Sequence, residues 1–271
     1  MIKFSATITC QYDTPFAPFP VSQYDEALSW VKQSGFDGAE VCISNYDSIA
    51  AWKIKNDLDK AGLTCSTIST GQSRILENIS LLHDDPEAQK KAQRRIREHI
   101  DAAVILGSKV TIGLLRGLGE AKRLEAQKAL LLKNILPCVK YAEDKGVTLL
   151  IEAINRYETA MLNSAAQTID FIAEAGGSPS LGILWDLFHA NIEDPAFDTA
   201  IDAMGGRLRH VHIADSNRYF PGYGHIDFHA VYDKLKSTGF KDYMSFECFN
   251  LPSAQEVKDG SRDFIGDLRK R

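Results

Sequence analysis

The stretch Arg209-His210-Val211-His212-Ile213-Ala214-Asp215-Ser216-Asn217-Arg218 decides how the rest of the chain is read. Its first half alternates polar and apolar residues, the period of a short strand. The alternation then stops, and polar, charged and turn-forming residues run on through Gly222 and Gly224. A histidine, an aspartate and an arginine therefore gather where a strand gives way to a loop. In α/β architectures the helices cover the sheet and leave the strand ends open, so ligands bind there. Working outward, the question is whether other strands end the same way.

Three do. Tyr243-Met244-Ser245-Phe246-Glu247 and Leu149-Leu150-Ile151-Glu152 end on glutamate, and Ile183-Leu184-Trp185-Asp186 ends on aspartate. Upstream, strand candidates at 2–8, 38–43, 63–69 and 109–113 alternate with helical periodicity. Ser22 is read as the cap of the first helix, 47–62 as the second, and Thr70-Gly71-Gln72 as loop. Pro86 opens a long helix that closes near Gly107, and 120–145 reads as a helix broken in two at Pro137. Further helices are expected at 163–177, 196–204, 228–239 and 253–270. Eight strand–helix cycles with short apolar strands, and no linker between halves, predict one (β/α)8 TIM barrel over 1–271. A dinucleotide-binding sheet would need a Gly-x-Gly-x-x-Gly after an early strand, which is missing.

Composition narrows the partners. The chain has 271 residues, 44% of them hydrophobic, ample for one large core. A net charge of -5 argues against nucleic acid. The basic run from Lys90 to Arg97 is threaded by Ala92, Ile96, Ile100 and Ala103 at helical spacing, so its charges read as a solvated face. Five cysteines without a Cys-x-x-Cys pair indicate neither a disulfide framework nor a cysteine zinc site. The start is too short and polar for a signal peptide, and no apolar run nears the ~20 residues of a membrane span. The expectation is a soluble, cytoplasmic protein with no membrane or nucleic-acid partner; homo-oligomerisation stays open.

The strand ends carry the chemistry. Charges that follow buried apolar runs must be paired or bind metal. Glu152, Asp186, His212 and Glu247, on four consecutive strands, would carry about three negative charges if left alone, and a divalent cation relieves that repulsion. Three oxygen donors and one nitrogen, without thiolate, favour Mn²⁺, Mg²⁺ or Co²⁺ over a closed structural zinc site.

These residues sit in segments that resemble a known family. Ile151-Glu152-Ala153-Ile154-Asn155-Arg156-Tyr157-Glu158, Trp185-Asp186-Leu187-Phe188-His189, the opening stretch and Ser245-Phe246-Glu247 look like the signature segments of the xylose isomerase-like sugar isomerase/epimerase barrels, D-tagatose 3-epimerase branch. Ser69-Thr70-Gly71-Gln72, Ile112-Gly113-Leu114-Leu115-Arg116-Gly117 and Pro221-Gly222-Tyr223-Gly224-His225-Ile226-Asp227-Phe228 look most like the 5-keto-L-gluconate epimerases. The resemblance implies one divalent ion, Mn²⁺ first, on Glu152, Asp186, His212 and Glu247. It places Glu158, His189 and Arg218 on the oxygens of a small keto-sugar substrate. It also implies catalysis by Glu152 and Glu247, one deprotonating and the other reprotonating the carbon beside the carbonyl through a metal-bound enediolate.

Other readings are set beside it. A hydroxypyruvate or aldose–ketose isomerase shares the barrel, but a hydride-shifting enzyme wants a second metal and a lysine. An endonuclease IV-like nuclease needs more histidines for its zinc cluster and a basic groove. A sugar-binding protein has no use for two glutamates on opposite faces of a ligand. Arg116 is read either as a partner for a substrate carboxylate or as a solvated loop arginine. Phe16, Phe19, Tyr219, Phe220 and Tyr223 are read as a pocket roof or as loop packing.

Overall fold

The structure is a computed structural model describing residues 1–271. It begins with β1 (Lys3–Thr9), which pairs in parallel with β2 (Gly38–Cys42) across α1 (Tyr24–Gln33). The cycle continues through α2 (Ala51–Ala61), β3 (Thr64–Ser69), α3 (Gly71–Glu77), α4 (Pro86–Leu106) and β4 (Lys109–Ile112). Next come α5 (Leu124–Lys145), β5 (Leu149–Ala153), α6 (Ala165–Glu174), β6 (Leu181–Asp186), α7 (Leu187–Glu193) and α8 (Phe197–Met204). The chain finishes with β7 (Leu208–Ile213), α9 (Phe228–Ser237), β8 (Tyr243–Phe246) and α10 (Ala254–Arg269). Each strand pairs with its sequence neighbours, and β8 closes on β1 with Lys3 opposite Tyr243. The expected eight-stranded barrel is the one observed.

Local chemistry sets the element ends. Asp85 accepts from the Glu87 amide in front of Pro86, so α4 starts where the sequence predicts. Ser164 and Ser253 cap α6 and α10 in the same way. Gly62, Gly107 and Gly146 end α2, α4 and α5 at φ near +65°, a region open to glycine. No helix is long and apolar enough to cross a membrane.

Several expectations need correcting. α5 runs unbroken through Pro137. Pro137 and Lys133, whose carbonyl it leaves free, lie on the solvent face, while Ile135, Cys138 and Val139 stay buried on the other side. Ser22 lies inside a short 3-10 turn and does not cap α1, and α2 starts four residues after Asp47. Thr70-Gly71-Gln72 is the start of α3 rather than loop, and α7 fills a segment where no helix was expected.

Candidate active site

Asp186 ends β6 and caps α7 at once. Its Oδ1 accepts from the amides of Phe188 at 2.7 Å and His189 at 3.3 Å, which leaves Oδ2 buried with no protein partner. The period of β7 turns His210 and His212 to the same side, and both meet Glu40 from β2. Each imidazole Nε2 lies 3.1 Å from a Glu40 oxygen. A carboxylate can only accept here, so both rings donate Nε2–H. The His212 Nδ1 lone pair then faces Glu247 Oε2 at 3.1 Å, Asp186 Oδ2 at 3.7 Å and Glu152 Oε1 at 3.8 Å.

Four acceptor groups thus face one another. One ligand atom from each of Glu152, Asp186, His212 and Glu247 lies within 4.8 Å of the others. The arrangement asks for positive charge. Burial would lower the His212 pKa, but Glu247 and Glu40, with Asp186, outweigh it and hold the ring well above the ordinary histidine value, so that without an ion a proton occupies the Nδ1 lone pair that would otherwise bind one. Burial, then the Glu247 charge, pushes the Glu152 carboxyl up to about 8. Burial also works against ionised Glu40, yet the two histidines together keep it below the usual carboxylate range. The orphaned Asp186 Oδ2 and His212 Nδ1, beside two further carboxylates, fit a divalent ion with oxygen-rich coordination.

The remaining predicted residues line the same cavity. Arg218 sits at φ +63°, a backbone conformation costly for a residue with a side chain. Asp215 holds that turn, accepting from the amides of Ser216, Gly222 and Ile226 and, through its carbonyl, from Arg218. The Arg218 guanidinium lies between Phe16, Phe188 and Phe249, with ring centroids 4.8, 5.0 and 5.5 Å away. It donates to Glu158 at 2.8 Å and lies 3.8 Å from Glu247. Asn155 Oδ1 accepts from the Tyr157 amide, so its Nδ2 donates to His189 Nδ1 at 2.7 Å. That leaves His189 Nε2–H turned toward Glu152 and Asp186, 3.9 and 4.0 Å away. Burial lowers the His189 pKa, so the ring is a neutral donor.

Arg116 fits neither sequence reading. Its side chain is fully buried and donates to the carbonyls of Gly113, Met161 and Leu162, away from the cavity lining. It braces the loops after β4 and β5 instead of meeting a substrate or water. Of the five loop aromatics only Phe16 lines the cavity; Phe220 is buried against Phe246 and Phe264. The other histidines stay out of the acid cluster. His99 is held by Tyr46 and Ser73, His229 pairs with Asp267, His225 with Ser216, and His83 accepts from Asp85. These four histidines are therefore not available as ligands for a larger zinc cluster of the nuclease kind.

Glu40 and its bond to His210 were not anticipated. The available signal was a carboxylate inside the apolar run Gly38-Ala39-Glu40-Val41-Cys42-Ile43, which must be paired once buried. Gly113 is a second addition: a Cβ there would lie 2.3 Å from Glu152 Oε2, so only glycine lets that carboxylate sit as it does.

A family model described as the xylose isomerase-like TIM barrel matches residues 28–267. The chain belongs to this family. The L-ribulose 3-epimerase of Mesorhizobium japonicum is 32% identical over 245 residues, covering 87% of this chain and 78% of that protein. The 3-dehydro-D-guloside 4-epimerase of Escherichia coli is 25% identical over 257 residues, covering 90% of this chain and 93% of that protein. A solved structure of L-ribulose 3-epimerase matches 100% of this chain and 95% of its own with a TM-score of 0.84 at 25% identity. These relatives bear out the resemblance to the D-tagatose 3-epimerase branch, and the family member described here is an isomerase-class carbohydrate epimerase.

Proposed function

We propose that the enzyme inverts the carbon beside the carbonyl of a keto-sugar or keto-sugar acid. One divalent ion, Mn²⁺ first, is held by Glu152, Asp186, His212 and Glu247. The observation that carries the reading is the convergence of these four ligand atoms within 4.8 Å, all acceptors, on one rim of the barrel. When bound, the ion supplies Lewis acidity to the carbonyl and neighbouring hydroxyl oxygens, an effect worth several kcal/mol in such sites.

The chain's own residues do the rest. Glu152 and Glu247 come from β5 and just past β8, on either side of β6 and β7. One takes the proton from the stereocentre and the other returns a proton to the opposite face, which inverts it. General acid–base steps of this kind contribute ~10²–10⁴-fold each. His189 Nε2–H and the Arg218 guanidinium donate to the oxygen that gains charge, and their fixed geometry avoids reorganisation during the reaction. Glu158 holds Arg218 in place and takes a substrate hydroxyl. Phe16, Phe188 and Phe249 keep water off the guanidinium.

The test is solvent exchange. Mn²⁺-loaded protein in D₂O with ketopentoses, ketohexoses and keto-acids should wash deuterium into the C–H next to the carbonyl, with a new epimer in the NMR spectrum. Glu152→Gln and Glu247→Gln should each reduce turnover by at least about 10²-fold. A protein that leaves every C–H of the panel untouched is not this enzyme.

A further inference from the structure

The cavity has two unlike walls. Glu152, Glu158, His189, Arg218 and Glu247 make one; the other, from the ends of β1, β3 and β4, carries Thr7, Thr14, Ser69, Thr70, Gln72 and Thr111, and no cationic side chain. Arg116, five residues past Thr111, gives three guanidinium hydrogens to backbone carbonyls, and Arg74, two residues past Gln72, is not among the lining side chains.

Hydrogen-bond accounting gives the second wall a polarity. Gln72 is 8% exposed, and its Nε2 donates to the Tyr12 carbonyl at 2.7 Å. Because that carbonyl can only accept, the amide cannot be turned round, and Gln72 Oε1 is left buried without a partner. Thr7 gives its hydroxyl hydrogen to the Phe246 carbonyl at 3.0 Å, and Thr70 gives its own to Thr111 at 2.6 Å. Thr7 and Thr70 have lone pairs left for a ligand, and Gln72 has its unpaired carbonyl oxygen beside the one amide hydrogen not given to Tyr12. A buried acceptor left unpaired costs about 1–3 kcal/mol. A Cβ added to Gly71, the neighbour of Gln72, would meet nothing within 4 Å, so there is room beside it.

We infer that Gln72 is a specificity-determining residue: its Oε1 accepts a hydrogen bond from a substrate hydroxyl beyond the reacting carbons, so the enzyme takes a ketose chain that is still hydroxylated there and discriminates against one deoxygenated there. The inference rests on the hydroxyketone reading above and adds the recognition of the substrate's far end. An unpaired acceptor is a strong discriminator, since an analogue lacking the hydroxyl leaves the orphan in place.

The test uses ratios within one protein. The ketose that exchanges best with the Mn²⁺-loaded wild type is compared with its deoxy analogues, one hydroxyl removed at a time beyond the stereocentre. One analogue should lose about 10²-fold or more in kcat/KM with the wild type. The same comparison in Gln72→Met should shrink to less than about 10-fold. A residue that only ties the Tyr12 loop would depress parent and analogue together and leave the ratio unchanged, which overturns the inference. So does a wild type that accepts every deoxy analogue equally. If Gln72→Met does not fold, Gln72→Asn, which withdraws the amide by one methylene, should collapse the ratio in the same way. Absence of exchange with any parent ketose would instead remove the hydroxyketone reading, a result distinct from an unchanged ratio.

Discussion

At the scale of single residues, His212 is the joint between two buried acid systems. Its Nε2–H is spent on Glu40, which fixes the tautomer and aims Nδ1 at Glu152, Asp186 and Glu247. Partners of this kind behind a metal-binding histidine change affinity by ~10–100-fold when removed. Glu40→Gln should therefore weaken Mn²⁺ binding by that factor in a calorimetric titration, although Glu40 lies on the far side of the ring from the ion. Unchanged affinity in folded Glu40→Gln would leave Glu40 with a packing role only. Gly113→Ala tests the neighbouring constraint: the added methyl would displace the Glu152 carboxylate, and in the acid–base role proposed for Glu152 a shift of about 1 Å would cost ~10²-fold in turnover. The pattern of legibility follows from the same residues. Glu152, Asp186 and Glu247 are readable because each follows an apolar strand run, where a charge stands out, and His212 because the alternation of its strand breaks off just beyond it. Glu40 sits within a strand and was passed over, although burial makes an interior carboxylate more demanding than a terminal one. Arg116 is hard to read because an arginine in a loop just before a glycine looks exposed; nothing in its neighbours announces three free carbonyls folding back on it.

At the scale of elements, the long and well-capped pieces were legible and the short ones were not. α4 announces itself by Asp85, Pro86 and Gly107, whereas α3 and α7 have seven residues each, two turns, too few for a helical period to show. Yet α3 carries Gln72, and what holds it is a side chain of α4. His99 is fully buried, its Nδ1 2.9 Å from the Tyr46 hydroxyl and its Nε2 3.0 Å from Ser73 of α3. Burial first, then the charge of Arg95, lowers the His99 pKa to about 3, with Glu77 pulling the other way. The folded ring stays neutral while the unfolded one protonates near its ordinary value of 6.5. Its contribution to stability is therefore complete above pH 6.5 and is lost as the pH falls toward 3. Within that window the slope is up to about 1.4 kcal/mol per pH unit for one proton. Urea unfolding followed from pH 7.5 to 4.5 should show His99→Gln less stable at neutral pH but flatter in its acid limb, by close to one proton. Parallel limbs would mean that His99 titrates normally in the folded chain.

At the scale of the whole molecule, the barrel concentrates charge. A chain of net charge -5 brings three carboxylates and the lone pair of an imidazole to one rim, with Arg218 as the compensating fixed cation. Closure makes this possible: residues 95 positions apart, Glu152 and Glu247, meet because β5 and β8 belong to one ring of parallel strands. The same closure makes the site a liability without a compensating cation, since the repulsion is built into the strands and cannot relax without opening the barrel. Divalent ion should therefore act as a stabiliser of the entire fold. At free ion one hundred times Kd, the stabilisation is about 2.7 kcal/mol. For a domain of this size that is roughly 5–10 °C in Tm, at the ~2–4 °C per kcal/mol found for slightly smaller chains. Calorimetric scans in EDTA and in excess Mn²⁺ should differ by that amount in the wild type. The difference should be largely lost in Asp186→Asn, whose side chain can still cap α7 through its oxygen but no longer offers a second anionic donor. Coincident scans for the wild type would mean that the acid cluster is neutralised by Arg218 and protons alone, and the epimerase would have to work without the ion.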